Sequence, residues 1–275
     1  MARFDSTKVP IGNDTRGQRD LGGTRGIEER PAHEVEIDAF DLDVTEVTVS
    51  AYTICVDAGA CDVPPDDKRC NWGIIEYAEH PMNCVTQGEA GTYCGWLGKR
   101  LPTEFEWEYA GGGGSGGDKK KKRLFPWGDT WTDERHANVC GKECVEGAAI
   151  PYAPMNEATR SAVLAALRKG VATPGVKMIP FDFADGHKRT APVGSFPKGN
   201  TKEGLKDMAG NVWEWTSSHV CIYPDHDCDS GAQRIIRGGG WTHRYVLSVE
   251  VTTRSKFMKD GRSEGIGFRC AKDAD

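Results

Sequence analysis

The chain has 275 residues, 38% hydrophobic and 28% charged, enough to bury one large core or two modest ones. Its net charge of −6 gives no electrostatic reason to expect nucleic acid or an anionic membrane surface as partner. No apolar run approaches the roughly 20 residues of a bilayer span. Residues 1–15 lack the charged and then apolar order of a signal peptide, so none is expected in this chain.

Residues 1–30 read as an N-terminal segment leading into the domain formed by 31–275. A β-like run at 33–37 comes first. Thr48 can cap a helix over 49–58, with Val49, Tyr52 and Val56 on one face and Gly59 as stop. Thr86-Gln87-Gly88-Glu89 has the form of a capping box, opening a helix with Ala90, Tyr93, Cys94 and Leu97 inward and Gly98 at its end. Thr103-Glu104-Phe105-Glu106 is a second capping box, starting a short helix that carries Trp107 and Tyr109 and stops at Gly111. Insertions follow at 111–123, a glycine-rich and then basic stretch read as a solvated loop tip, and at 145–180, where 156–169 has helical periodicity. Further β-like runs lie at 220–223, 233–237 and 246–253. The pattern is irregular α+β, without the alternation of a parallel βαβ sheet.

Ten cysteines are many for a reducing compartment, and they do not form the two Cys-x-x-Cys pairs of a zinc ribbon. Close loop-borne pairs point to disulfides and an extracytoplasmic, periplasmic or secreted, location. Cys140 with Cys144, Cys221 with Cys228, and Cys61 with Cys70 are the candidate local pairs.

The segment Asp207-Met208-Ala209-Gly210-Asn211-Val212-Trp213-Glu214-Trp215-Thr216 poses a chemical problem. A glutamate between two indoles is rarely buried unpaired, because an unmatched carboxylate in a dry site costs several kcal/mol. Coordination of something cationic is the simplest solution.

This segment also carries a resemblance. Leu97-Gly98-Lys99-Arg100-Leu101-Pro102-Thr103-Glu104-Phe105-Glu106-Trp107-Glu108-Tyr109 resembles the signature of the sulfatase-modifying-factor family, whose founding activity is formylglycine generation. Phe125-Pro126-Trp127-Gly128, Ala191-Pro192-Val193-Gly194, residues 207–216, Arg237-Gly238-Gly239-Gly240-Trp241 and Gly267-Phe268-Arg269-Cys270-Ala271 continue it in order. The resemblance implies one compact domain of the C-type-lectin-like kind, poor in regular secondary structure and braced by two calcium ions. By motif position the first ion would take Asn138, Val139, Asp185 and His187, the last through its backbone. The second would take Asp207, Gly210, Val212 and Glu214. All-oxygen donor sets of this kind suit calcium; the alternative is that these acids cap turns. The resemblance also pairs Cys94 with Cys270, a cross-link worth about 4–5 kcal/mol in the entropic model.

One departure decides the functional expectation. Catalytic members carry two cysteines after the Gly-Gly-Ser turn, and these bind copper(I), a metal that soft thiolates suit. Here the two positions hold His243 and Ser248, and the turn serine is Gly240. Copper and formylglycine chemistry are therefore not expected, and no catalytic residue is assigned. The expected function is that of a binding or accessory protein. Its ligand face would comprise Trp213, Thr242, His243, Arg244, Tyr245 and Ser248 and would receive a protein, peptide or small molecule. The alternative is a divergent enzyme of the same family.

Overall fold

The structure, a computed structural model, describes residues 1–14, 29–113, 122–131, 135–143, 183–226, 228, 231–243 and 246–274. The helical periodicity at 156–169 lies outside them, as does the whole insertion at 145–180.

Among the described residues, three short helices supply the α component. Helix α1 (Val49–Asp57) starts where Thr48 accepts a hydrogen bond from the Ala51 amide, and it buries Val49, Tyr52 and Cys55. Helix α2 (Gln87–Trp96) opens with the complete Thr86–Glu89 capping box and buries Ala90, Tyr93 and Cys94. Leu97, expected inward, is 43% exposed, because it is the C-cap and the chain has already left the helical path there. Helix α3 (Glu104–Gly113) has its own reciprocal box: the Thr103 amide donates to Glu106 at 2.7 Å and the Glu106 amide to Thr103 Oγ1 at 3.1 Å. It runs two residues past the expected stop, since Gly111 and Gly112 serve close packing: a Cβ there would meet Val251 at 3.4 and 3.3 Å.

The strands form three sheets. Strands β5 (Trp213–His219), β6 (Gln233–Arg237), β7 (Arg254–Met258) and β8 (Ile266–Gly267) line up as β7-β6-β5-β8, antiparallel except for the β5–β8 pair. The N-terminal β1 (Ala2–Phe4) joins β4 (Phe40–Leu42), which in turn pairs with β9 (Ala271–Asp273). β2 (Thr7–Ile11) pairs with β3 (His33–Ile37).

Two sequence expectations for strands are corrected. The run at 220–223 is not a strand; the strand precedes it, at Trp213–His219. Trp213, Glu214, Trp215 and Thr216 are all buried, as befits a central strand, so the polar–apolar alternation that marks a half-exposed strand is missing. The run at 246–253 begins as a single 3-10 turn, Val246–Val249, and extended structure starts only at Arg254. Thr253 closes that bend by donating to the Leu247 carbonyl at 2.8 Å.

The main core lies between α1, α2 and the four-stranded sheet, where Tyr52 stacks on Tyr93 at 5.5 Å and both meet Phe268 edge-on. A second core surrounds α3 and the N-terminal strands. Each fully buried large side chain contributes about 1.5–3 kcal/mol.

Cys94–Cys270 and Cys221–Cys228 are bridged as expected. The expected Cys61–Cys70 pair is corrected to Cys55–Cys61 and Cys70–Cys84. Gly59, at φ 71°, reverses the chain after α1, so that the Ala60 and Cys61 amides both reach the Cys55 carbonyl. Cys61 is thereby delivered to Cys55. Cys140 is also disulfide-bonded, and Cys144 lies outside the described residues.

The basic stretch at 111–123 is not wholly solvated. Lys122 reaches back to the buried Glu108 and to the Gly12 carbonyl, and Arg123 reaches Glu203 at 3.4 Å.

Candidate functional site

The site is built around the turn that follows β6. Gly238 and Gly239 have φ of 97° and 74°, values that disfavour any other residue. Space excludes side chains as well: a Cβ at Gly239 would stand 2.6 Å from the Ser248 carbonyl oxygen, and one at Gly238 would stand 3.1 Å from Trp107. Gly240 is less confined, with its nearest backbone atoms at 3.3–3.4 Å.

Beyond the turn, the Trp241 amide donates to the Asn211 carbonyl at 2.8 Å and the His243 amide to the Gly240 carbonyl at 2.9 Å. These bonds place the His243 ring edge-on to Trp213, with centroids 5.1 Å apart. Thr242 Oγ1 lies 3.4 Å from His243 Nδ1, and the Arg189 guanidinium sits 5.8 Å over Trp241. From the opposite side the Cys140 amide donates to the His243 carbonyl at 2.8 Å. Trp213, Thr242 and His243 are thus brought together. Ser248 stands half-buried on the 3-10 turn beyond, and its carbonyl faces Gly239. Arg244 and Tyr245 lie outside the described residues.

The first expected cation site is assembled from two loops. Asn138 is 1% exposed and donates both amide protons, to the Arg189 carbonyl at 2.8 Å and to Asn211 Oδ1 at 3.0 Å. Its Oδ1 is buried and accepts no hydrogen bond. Asp185, 3% exposed, accepts from the Val139 amide at 3.0 Å and the His187 amide at 2.8 Å. Burial pushes the Asp185 carboxyl up to about 6 in spite of those hydrogen bonds. A buried acceptor left open beside a desolvated acid fits a hard cation.

At the second, Glu214 has a partner that the sequence analysis did not assign. Arg269 clasps it with Nε at 2.8 Å and Nη2 at 2.7 Å, and Trp107 Nε1 donates at 2.8 Å. The cation beside Glu214 is therefore a guanidinium. It is not enough to neutralise the neighbourhood. Burial, then Asp207 and Glu214, push the Glu46 carboxyl well above the usual range, and burial pushes Asp207 up as well. Three buried carboxylates around one guanidinium leave room for a further positive charge. Asp207 also accepts from the Gly194 amide at 2.5 Å.

The two sites touch, since the Asn211 amide donates to the Asn138 carbonyl at 2.8 Å. Among the described residues no group of three or more His, Cys, Asp or Glu side chains is arranged to hold a metal. Glu46 was missed because nothing around Thr45 or Val47 marks it in sequence. Its role follows from the Asn211 side chain, which donates to it at 2.6 Å. Arg269 was visible only as part of the Gly267-Phe268-Arg269 block.

Comparison with known proteins accords with this geometry. A bovine (Bos taurus) protein named inactive C-alpha-formylglycine-generating enzyme 2 is 34% identical over 206 residues, covering 74% of this chain and 53% of that protein. The formylglycine-generating enzyme of the mouse (Mus musculus) is 31% identical over 228 residues, covering 75% and 50%. The chain thus spans about half the length of these relatives. The solved structure of PvdO from Pseudomonas aeruginosa superposes with a TM-score of 0.65 at 21% identity, covering 99% of this chain and 93% of the other, a likeness of fold. The family model described as sulfatase-modifying factor enzyme 1-like domain matches residues 5–274, and the chain belongs to that family.

Proposed function

We propose that this chain is a calcium-braced binding or accessory protein that presents the 242–248 face to a protein, peptide or small-molecule ligand. One observation carries this reading: the catalytic positions hold His243, Ser248 and Gly240 while the turn that presents them is kept. A dithiolate cannot form on a segment without cysteine, whereas Trp213, Thr242 and His243 offer the mixed aromatic and polar surface that recognition uses. The similarity to a relative named inactive supports the same direction.

Calcium has a structural part in this proposal. Asn138, the Val139 carbonyl, Asp185 and the His187 carbonyl would hold one ion. Asp207, the Gly210 and Val212 carbonyls and Glu214 would hold the other. Each would neutralise buried acids and tie irregular loops together, a role that oxygen donors from acids and backbone suit. The bridges formed by Cys55, Cys70, Cys94 and Cys221 support residence in an oxidising, extracytoplasmic compartment.

The test has two arms. A peptide bearing Cys-x-Pro-x-Arg, incubated with copper-loaded protein in air, should be unchanged by mass spectrometry while the mouse enzyme converts it. Formation of the aldehyde would overturn the proposal. Replacing His243 and Tyr245 with Ala should preserve folding and abolish ligand capture; capture that persists would place the binding face elsewhere. A stoichiometric transition metal in protein purified without added metal would favour a divergent enzyme instead.

A further inference from the structure

Two buried oxygen atoms next to the Asp185 turn accept no hydrogen bond. One is Asn138 Oδ1, whose amide cannot flip without breaking the bonds that its nitrogen makes to Arg189 and Asn211. The other is Glu143 Oε2. Glu143 Oε1 accepts from the Gly186 amide at 3.0 Å, so this carboxylate stands on the same turn whose flanking amide, at His187, donates to Asp185. A buried acceptor with no donor is destabilising, and two beside an ionisable acid compound that cost. One hard cation with oxygen ligands would satisfy all three groups.

Asn138 has a second connection. Two residues further along, the Cys140 amide donates to the carbonyl of His243, whose ring stands edge-on to Trp213. Between them, the Val139 amide donates to Asp185. The segment 138–140 therefore has one end at the cation site and the other on the ligand face.

We propose that Glu143 is an additional carboxylate ligand of the first cation site, and that filling this site fixes the position of His243 on the ligand face. This rests on the calcium reading given above and extends it from a passive brace to a control on binding. With the ion present, Asp185 and Glu143 are drawn toward Asn138 and the Cys140 amide is held in place. Without it, two carboxylates repel across the same turn and the support beneath His243 relaxes.

The experiment uses the full chain with its disulfides intact. Calcium titration calorimetry on the wild type should show two sites. Glu143→Gln should weaken one of them by about tenfold or more, as Asp185→Asn does, while Asp207→Asn weakens the other. The His243 ring proton resonance, assigned by its loss in His243→Ala, should shift with calcium and saturate with the Glu143-dependent site. Unchanged affinities in Glu143→Gln would overturn its role as ligand, and a His243 resonance indifferent to calcium would overturn the coupling. If the wild type bound no calcium at all, the calcium reading itself would fall, and this proposal with it.

Discussion

Glu104 is the most demanding residue of the scaffold. It is 1% exposed and accepts four hydrogen bonds: two from Arg254 at 2.7 Å, one from Arg237 at 2.8 Å and one from the Tyr223 hydroxyl at 3.1 Å. Arg237 also reaches Glu108, which Lys122 meets from the other side. The charged side chains joined by these bonds are two glutamates, Glu104 and Glu108, and three cations, Arg237, Arg254 and Lys122. Glu104→Gln keeps the volume but leaves one carboxylate against three cations and turns an amide NH2 toward guanidinium donors. Breaking a buried ion pair in this way costs about 3–5 kcal/mol, a large share of the 5–15 kcal/mol that typically separates folded from unfolded. Arg237→Met should cost less, about 1–3 kcal/mol. It leaves two carboxylates against two cations, with Glu104 still held by Arg254 and Glu108 by Lys122. Urea unfolding at pH 7, followed by tryptophan fluorescence with disulfides intact, reads both. With a slope of about 3 kcal/mol per molar, Glu104→Gln should lower the midpoint by about 1–1.7 M. A midpoint shift as large for Arg237→Met would refute the charge-count reasoning, and a negligible shift for Glu104→Gln would refute the importance of the cluster.

Three further outcomes are expected. Replacing Cys94 and Cys270 with Ser, which opens a link of sequence separation 176, should cost about 5 kcal/mol on the entropic model, against about 2 kcal/mol for Cys55 and Cys61 with separation 6; thermal midpoints of the two variants should rank accordingly. Thr86→Ala removes the hydroxyl half of the α2 capping box, which accepts from the Glu89 amide, and leaves the Thr86 amide bonded to the Glu89 carboxylate; it should lower stability by about 1 kcal/mol in the same urea assay. Burial alone would raise the Glu108 carboxyl, but Lys122 and Arg237 outweigh it and hold it at about 2. Because that lies below the ordinary glutamate value of 4.5, its stabilisation is present above about pH 4.5 and is lost as pH falls toward 2. Urea midpoints of the wild type should therefore drop between pH 5 and pH 3, and more steeply than those of Glu108→Gln.

What the sequence disclosed and what it hid divide along physical lines. Thr48, Thr86 and Thr103 announced all three helices, because capping is a local transaction between residues three apart. The turn glycines and the departures at His243 and Ser248 were likewise local. Strand β5 was hidden, since a strand buried on both faces has no alternation to detect. The pairing of Cys55 with Cys61 depended on the reversal at Gly59, which composition does not order among alternatives. Glu104, Glu106 and Glu108 are all buried on one helix, which no local pattern announced. Glu106 is matched to Arg100 only six positions away, but Glu104 and Glu108 are matched to Arg254 and Arg237, 150 and 129 positions along the chain and beyond the reach of a local window.

The clamped turn at Gly238 and Gly239 has an evolutionary corollary. One glycine is pressed against Trp107 of α3 and the other against the Ser248 carbonyl, so the path into and out of the 240–248 segment is fixed by backbone and core packing. Of the described side chains in between, Val246 is buried in the core, whereas Thr242 is exposed and His243 half-buried. The segment behaves as a cassette seated in a socket: its contents can be exchanged while the socket keeps its shape. Substitutions at exposed Thr242 and half-buried His243 can therefore accumulate at little cost in folding stability.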